Sequence, residues 1–390
     1  MKLSVVIPTY KPQDIRPLLT ALVNQQDKDF ELVLVENGSD KKMLADHLHG
    51  YDFSCSPVFI HEKTPGLNRA RNLGVKASKG SHIVLIDDDC LPGTDWIGAI
   101  KRSHKAYPSA GVIGGRVLLS LEHPHPFWLN PEMRRSLAEL EYGEETKALE
   151  RWQYLVGANL SFTRIIFDDV CGFNENLGLS GDDKIKRVND EAEFIFKASL
   201  RGMPGAIYAG EAVVKHTIPP DRTSFDYLLT RWFGQGVSDI EYDLLQGGTK
   251  KAVRSLYSNV FHSHWHLESI RAYAAGLTGD EYEEFFWRGM LIRAVYLYGM
   301  RERLFSVSPV YGNVSIIGSI EHIAFKRGSR LSDIQADDSG YAEKQKLLQR
   351  ILYNSQPTIS PFTRVTLISG LVSHELDLKI YPVEMEQTAA

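Results

Sequence analysis

The segment 80–92 joins a short apolar run directly to three consecutive aspartates, Asp87, Asp88 and Asp89, which we call the acidic turn. An apolar run of this length between turn-forming residues predicts a buried strand, and aspartate is disfavoured within strands. We therefore expect the strand to end at Asp87. Loops after the carboxyl ends of strands often bind ligands, and paired carboxylates suit Mg²⁺ or Mn²⁺. Our hypothesis is a metal and diphosphate site, although the aspartates on their own favour the alternative, a solvated acidic turn.

The first ninety residues alternate between short apolar strands and amphipathic helices. Predicted strands cover 3–7, 30–35, 58–60 and 83–86, and predicted helices cover 15–25, 41–49 and 67–77. This alternation, with short connections such as a loop at 8–12, predicts an α/β fold with a mostly parallel sheet and helices on both faces. Farther along, the sequence predicts strands at 112–119, 155–162 and 212–216 and a helix at 191–201. It also predicts an irregular insertion with a charged helix at 120–150 and a mobile polar loop at 178–189.

The sequence changes character after the proline pair Pro219 and Pro220, where helical patterns replace strands. We predict one domain over 1–222 and a mainly helical extension over 223–390. Predicted helices in this extension cover 225–233, 267–275, 280–298 and 340–353. Their aromatic residues favour core or subunit contacts, so a homo-oligomer formed through these helices is one expectation.

Composition narrows the classes of partner. A net charge of -5 gives no reason to expect a nucleic-acid partner. The sparse cysteines Cys55, Cys90 and Cys171 form neither a disulfide framework nor a metal-ligand spacing. The opening apolar stretch is too short for a signal peptide, and no apolar run reaches membrane-spanning length. We expect a cytoplasmic protein without a transmembrane segment, and leave open peripheral contact with the inner face of the membrane.

Polar residues at the ends of the other predicted elements could complete a site. The ends of the first two strands carry Pro8, Thr9, Tyr10, Glu36 and Asn37, where a nucleotide base could lie. Arg71 is early in a helix and has the shape for phosphate. Asp190 and Glu191, the acid pair, could supply a general base for a hydroxyl nucleophile. Ordinary turn chemistry, a solvated helix face and favourable charge at a helix N-terminus are the respective alternatives.

Taken in order, these motifs resemble those of the family 2 glycosyltransferases. The resemblance covers about residues 1–240 and rests on VVIPTY at 5–10, VENGS at 35–39, GLNRARN at 66–72, the acidic turn, GAN at 157–159 and DEAE at 190–193. It implies an inverting enzyme with the GT-A fold, in which a nucleotide-binding sheet handles a nucleotide-sugar donor, most simply a UDP-sugar. It also implies a divalent cofactor, Mg²⁺ or Mn²⁺, and a glycan or lipid-linked hydroxyl acceptor.

The resemblance also implies roles for individual residues. Glu191 or Asp190 would be the catalytic base; the order of the two acids is reversed relative to the family, and Glu191 is the first choice. Asp89 would hold the metal, and His216 would approach the metal or diphosphate unless it is simply a packed histidine at a strand end. Arg222 could add a phosphate contact. Contacts to the nucleotide sugar would come from Pro8, Thr9, Tyr10, Glu36, Asn37, Arg71, Asp87 and Asp88.

Two other kinds of protein are consistent with parts of this pattern. A sugar-nucleotide nucleotidyltransferase would carry a glycine-rich phosphate loop after the first strand, and residues 8–12 are not such a loop. A non-catalytic carbohydrate-binding or scaffold protein could keep the fold, but it would not need both the acidic turn and the acid pair. A glycosyltransferase is therefore the expected function.

Overall fold

The computed structural model describes residues 1–307 except 11–13, 39–47, 49, 122–123, 125, 151–152, 182–184, 262–268 and 271. The helix predicted at 340–353 lies outside these residues, as do nearly all of the helix at 41–49 and part of that at 267–275. The described chain divides into two compact units. The first holds the described residues up to Arg222, except Pro126–Asn130 and the segment around Lys186, which group with the residues from Thr223 onward. The assignment of 1–222 and 223–390 to separate domains stays a prediction.

The described strands of the first unit form one sheet. They are β1 (Leu3–Tyr10), β2 (Glu31–Asn37), β3 (Val58–Glu62), β4 (His82–Ile86), β5 (Cys90–Pro92), β6 (Val112–Leu121), β7 (Thr146–Ala148), β8 (Asn159–Thr163) and β9 (Ile207–Ile218). The helices are α1 (Arg16–Val23), α2 (Leu67–Ala77), α3 (Trp96–Ala106), α4 (Pro131–Arg135), α5 (Arg164–Asp169) and α6 (Asp190–Leu200).

The sheet runs in the order β3-β2-β1-β4-β8-β6-β9-β5, with β7 also paired to β9. The first four strands are parallel, whereas β8 is antiparallel to both β4 and β6. β6 and β9 pair in parallel, and β5 and β7 lie antiparallel to β9. The predicted α/β fold is therefore confirmed; its parallel portion comes from the first ninety residues, and the later strands make the whole sheet mixed.

Burial explains why the first strands are almost continuously apolar. Leu3, Val5, Val6 and Ile7 of β1 are all inaccessible to solvent, as expected for a parallel strand covered on both sides. α2 packs closely on this sheet at Gly74, where a Cβ atom would lie 2.3 Å from the Val6 side chain. The parallel strands thus form a rigid base, and their carboxyl ends bring the polar residues to one edge.

Some predicted boundaries differ from the structure. The loop predicted to begin at Pro8 is wrong for its first residues, because β1 continues to Tyr10 and pairs with Val35–Asn37 of β2. Pro8 is tolerated because β4 pairs only with Leu3–Val6, so no ladder bond from β4 is needed at Pro8. The strand predicted at 155–162 begins only at Asn159, and the three-residue strands β5 and β7 were not predicted.

Two long helices form most of the described second unit, α7 (Phe225–Phe261) and α8 (Gly279–Val307). α7 is kinked where Gly247 and Gly248 leave helical geometry. The helices share a core of Ile240, Ala252, Leu256, Leu297, Met300 and Leu304. The predicted helical C-terminal region is confirmed in the described residues, and none of the helices described is both long and apolar enough to cross a membrane.

Candidate active site

The acidic turn is held against β9. β4 ends at Ile86, as predicted, and β5 then pairs antiparallel with β9 so that Cys90 lies opposite His216. This pairing brings Oδ1 of Asp89 to 3.2 Å from Nε2 of His216, while Nη1 of Arg222 donates to Oδ2 of Asp89 at 3.0 Å. The structure therefore joins the two residues assigned to the metal, and places Arg222 beside them.

The hydrogen bonds of His216 define which ring nitrogen faces Asp89. Nδ1 lies 2.9 Å from the carbonyl oxygen of Leu137, which can only accept, so Nδ1 carries a proton. Burial lowers the pKa of His216, but the hydrogen bond and charge of Asp89 outweigh it and the net shift is upward. Burial likewise raises the pKa of Asp89, but His216 and Arg222 reverse this and lower it overall.

These residues fit a divalent cation. Ligand atoms of Asp89, His216 and Cys90 lie within 4.8 Å of one another. A histidine that donates from Nδ1 to a carbonyl presents the lone pair of Nε2, which is the usual arrangement of a metal-binding histidine. Burial raises the pKa of the Cys90 thiol well above its ordinary value, so Cys90 is a weaker candidate ligand.

Asp87 and Asp88 differ from Asp89 in their surroundings. Burial raises the pKa of Asp87, an effect opposed by Arg71, whose Nη2 is 3.7 Å from Oδ1 of Asp87. Burial, together with the charge of Asp89, raises the pKa of Asp88 to about 7, although the Thr9 hydroxyl acts in the opposite direction. The turn therefore offers three carboxyl groups with different proton affinities.

The acid pair lies at the start of α6 and contacts Arg71 of α2. Nη1 of Arg71 donates to Oδ2 of Asp190 at 2.6 Å and to Oε1 of Glu191 at 3.2 Å. The Asp190 side chain is 5% exposed and that of Glu191 is 18% exposed. Burial and then the charge of Glu191 raise the pKa of Asp190 to about 7, and Arg71 opposes both. Glu191 is therefore the more accessible of the two acids.

The side chains expected around a nucleotide base lie in register at the carboxyl ends of β1 and β2. Thr9 pairs with Glu36, and both are buried. Asn37 pairs with Tyr10, but its amide holds the loop before α2, donating to the carbonyl of Thr64 and accepting from the N–H of Gly66. These bonds give Asn37 a structural role that its turn-like sequence context did not indicate. Contact of these residues with a base stays a prediction.

Sequence reasoning missed the part played by Gly157 and His61. The N–H of Gly157 donates to Oε1 of Glu191 at 2.9 Å, and a Cβ atom at this glycine would lie 2.0 Å from Nη2 of Arg71. Nδ1 of His61, on the edge strand β3, is 3.8 Å from Oε2 of Glu36. The GAN motif marks Gly157 but not its contact, and no sequence signal marks His61.

Comparisons with known proteins agree with these observations. Residues 4–169 match the family model described as "Glycosyl transferase family 2". A glucosyl-dolichyl phosphate glucuronosyltransferase of Haloferax volcanii is 28% identical over 252 residues, which cover 63% of this chain and 78% of that protein. Glycosyltransferase AglE of the same organism is 29% identical over 193 residues, 46% of this chain and 58% of that protein.

Among solved structures, residues 1–349 of S. aureus TarS in complex with UDP-GlcNAc align with 84% of this chain and 93% of that one, at 15% identity and a TM-score of 0.49. The residues that match the family model include the acidic turn, Arg71 and the strands that support them. Residues 4–169 of this chain therefore match glycosyl transferase family 2, and the resemblance read from the sequence is confirmed.

Proposed function

We propose that this glycosyltransferase is an inverting, metal-dependent enzyme that moves a sugar from a UDP-sugar to a hydroxyl acceptor. The proposal rests on the observation that the acidic turn and the acid pair lie in the same site. The acidic turn lies beside His216, the acid pair lies beside the turn, and Arg71 contacts both groups. Such a site can bind a diphosphate through a cation on one side and activate a hydroxyl on the other.

Glu191 is the base in this proposal. It takes the proton of the acceptor hydroxyl as the oxygen attacks the anomeric carbon from the face opposite the diphosphate. The bond from this carbon to the diphosphate oxygen breaks, and the nucleoside diphosphate leaves with the electron pair. A single displacement of this kind inverts the anomeric centre. Asp190 is the less suitable base because it is less exposed and is held by Arg71 at 2.6 Å.

Asp89 and His216 would hold the cation, and Asp87 would contact the ribose or the donor sugar. A bound Mg²⁺ or Mn²⁺ would offset negative charge on the departing diphosphate. Arg222, which already donates to Asp89, is close enough to the same place to contribute positive charge. Pro8, Thr9, Tyr10, Glu36 and Asp88 are proposed to contact the rest of the nucleotide sugar, with Asn37 acting mainly through the loop that it holds.

The acceptor is proposed to be a hydroxyl of a glycan or of a lipid-linked sugar. The relative from Haloferax volcanii that is 28% identical is named a glucosyl-dolichyl phosphate glucuronosyltransferase, and that name supports a lipid-linked acceptor. Peripheral contact with the inner face of a membrane from a cytoplasmic location would suit such an acceptor, and both stay predictions, as does a homo-oligomer formed through the C-terminal helices.

Calorimetric titration with UDP, in the presence and absence of Mn²⁺ or Mg²⁺, tests the proposal. We expect UDP to bind and its affinity to rise when either ion is added. UDP release from UDP-glucose, UDP-N-acetylglucosamine and UDP-glucuronate then selects a donor, and NMR of the product gives its anomeric configuration. Failure of UDP to bind with either ion, or a product that retains the donor's configuration, would contradict the proposal.

A further inference from the structure

Arg71 is a buried cation surrounded by carboxylates. Its side chain is only 1% exposed, and its guanidinium contacts Asp190, Glu191 and, at 3.7 Å, Asp87. Nη1 also donates to Oδ1 of Asn68 at 3.3 Å. A buried guanidinium is costly unless it is paired, and the three acids raise its pKa despite its burial. Little of this group is open to a diphosphate, so its described contacts do not resemble those of a phosphate clamp.

The same guanidinium joins the two halves of the site. Nη1 faces Glu191 at the start of α6, and Nη2 faces Asp87 in the turn after β4. Because a guanidinium is planar and rigid, it fixes the distance between the groups that its two ends contact. Arg71 therefore fixes the distance between Glu191, the proposed base, and Asp87, the carboxylate proposed to contact the donor.

Gly157 also contacts Glu191 and lies close to Arg71. Its N–H donates to Oε1 of Glu191, the same oxygen that accepts from Arg71. A Cβ atom at position 157 would lie 2.0 Å from Nη2 of Arg71 and 2.3 Å from Oε1 of Glu191. Only glycine allows this close approach without moving one of the two side chains. Both of these bonds fall on Oε1, so together they fix the orientation of the Glu191 carboxylate.

We propose that Arg71, supported by the Gly157 N–H, is the positioning residue of the transfer reaction. It holds Glu191 in the orientation needed to meet the acceptor, at a fixed distance from Asp87, instead of binding the diphosphate. The inference rests on the proposed function, because it takes Glu191 as the base. The charged groups that face Glu191 are Arg71 from α2, Asp190 from α6 and Asp87 from the acidic turn.

Two substitutions separate the shape of Arg71 from its charge. Arg71→Lys keeps a cation but loses the fork, so we expect kcat to fall about 100-fold through misplacement of Glu191. Arg71→Met also removes the positive charge that opposes protonation of Asp190, so the acid limb of its kcat–pH profile should move upward. Affinity for UDP with Mn²⁺, measured by calorimetry, should stay within about threefold in both variants.

Arg69→Met is the matched control. Arg69 lies on the same helix, is partly exposed and pairs with Glu175 at 3.1 Å. Its loss should leave kcat, the pH profile and UDP affinity unchanged. In Arg71→Lys, UDP affinity could instead fall together with kcat/KM while the pH profile stays unchanged. That result would show that Arg71 contacts the donor and that the inference is wrong.

A second variant covers the case in which Arg71 substitutions prevent folding. Gly157→Ala leaves the charge of Arg71 in place but pushes Arg71 and Glu191 apart, so kcat should fall while UDP affinity is kept. Unchanged kcat in Gly157→Ala would overturn the inference. A crystal structure with UDP and Mn²⁺ provides a test without turnover, since a phosphate oxygen hydrogen-bonded to Arg71 would also overturn it. Absence of UDP binding in the unaltered protein would instead contradict the proposed function itself.

Discussion

Nε2 of His216 lies 3.2 Å from Oδ1 of Asp89, while the opposite ring nitrogen of His216 donates to the Leu137 carbonyl. With the Nδ1 proton fixed in this way, a neutral His216 directs a lone pair at a carboxylate oxygen. Two such acceptors repel unless a proton or a cation lies between them. The pair is therefore arranged to take up either one, and the raised pKa of His216 reflects the proton-bound form.

Removal of either member of this pair should weaken metal-dependent binding of the donor. Asp89→Ala should abolish the gain in UDP affinity that Mn²⁺ gives, because it removes the proposed oxygen ligand. His216→Ala should reduce that gain by at least about 10-fold, because loss of even a group that only orients a metal ligand costs about 10- to 100-fold. Calorimetric titration with UDP at zero and saturating Mn²⁺ measures both effects.

Asp95→Ala is a suitable control for Asp89→Ala. Asp95 is a partly exposed aspartate that pairs with Arg102 at 2.7 Å, so its loss should leave the Mn²⁺ effect intact. An Asp89→Ala variant in which Mn²⁺ still raises UDP affinity would show that the cation binds elsewhere.

Glu191→Gln should lower kcat by about 10²- to 10⁴-fold, the usual contribution of a general base, with UDP affinity unchanged. Glutamine keeps an oxygen that can accept from Gly157 and Arg71, so the substitution removes the proton acceptor and little else. Asp190→Asn should have a smaller effect because Asp190 is less accessible. Single-turnover assays with the donor selected by UDP release compare the two.

The reverse result would reassign the base. Near-normal turnover in Glu191→Gln, combined with loss of turnover in Asp190→Asn, would identify Asp190 as the group that takes the proton. Loss of UDP affinity in both variants would mean that the acid pair acts on the donor side.

Local features of the chain predicted the main elements of the fold. The end of β4 before Asp87 follows from the change from apolar residues to aspartates, and α2 follows from its amphipathic spacing. The contact between Asp89 and His216 was not predictable from pattern alone, because it depends on a three-residue strand that ends in Pro92 and pairs with a distant segment. The resemblance to a family suggested that both residues belong to one site, but not how they meet.

The surroundings of Arg71 show a second limit of sequence reasoning. A helix that begins with arginines predicts solvent or phosphate contacts, and only tertiary packing reveals that Arg71 is buried against Asp190 and Glu191. The role of Gly157 is equally long-range, since nothing in its neighbours indicates which side chains approach it. The roles of Arg71 and Gly157 depend on burial and on contacts between distant segments of the chain, and a short motif determines neither.

Asn159→Ala should destabilise the protein without changing its affinity for UDP. Asn159 is 1% exposed; it accepts from Nε1 of Trp96 and donates to the carbonyls of Arg116 and Ala212. These bonds lie where the register between β6 and β9 shifts. Each buried group left without its partner costs about 1–3 kcal/mol, so the free energy of unfolding should fall by at least that amount.

Urea denaturation measures this loss, and Asn176→Ala, at an exposed asparagine, is the control that should leave stability unchanged. A fall in UDP affinity at a temperature where Asn159→Ala is fully folded would contradict the structural role and assign Asn159 to the donor site.

Stability should fall as the pH drops below about 6.5, in part because of His104. This side chain is 4% exposed, and its Nε2 lies 3.0 Å from the Ser161 hydroxyl, which itself donates to the carbonyl of Ile113. Since the Ser161 proton is used, Nε2 of His104 must donate to the Ser161 oxygen. Burial, assisted by the neighbouring His82, lowers the pKa of His104 to about 3.

The direction of the effect follows from proton binding. The unfolded chain takes up a proton on His104 near pH 6.5, whereas the folded protein does so only near the lowered pKa. The contribution of His104 to stability is therefore complete above about pH 6.5. It decreases by up to about 1.4 kcal/mol per pH unit as the pH falls toward the lowered pKa of the folded protein.

Urea denaturation of the unaltered protein and of His104→Gln between pH 7.5 and 4.5 isolates this slope. The variant, although less stable at pH 7.5, should show the shallower dependence, and His82→Gln, at a more exposed ring, should change the slope less. Parallel curves for the unaltered protein and His104→Gln would exclude His104 as a source of the acid sensitivity.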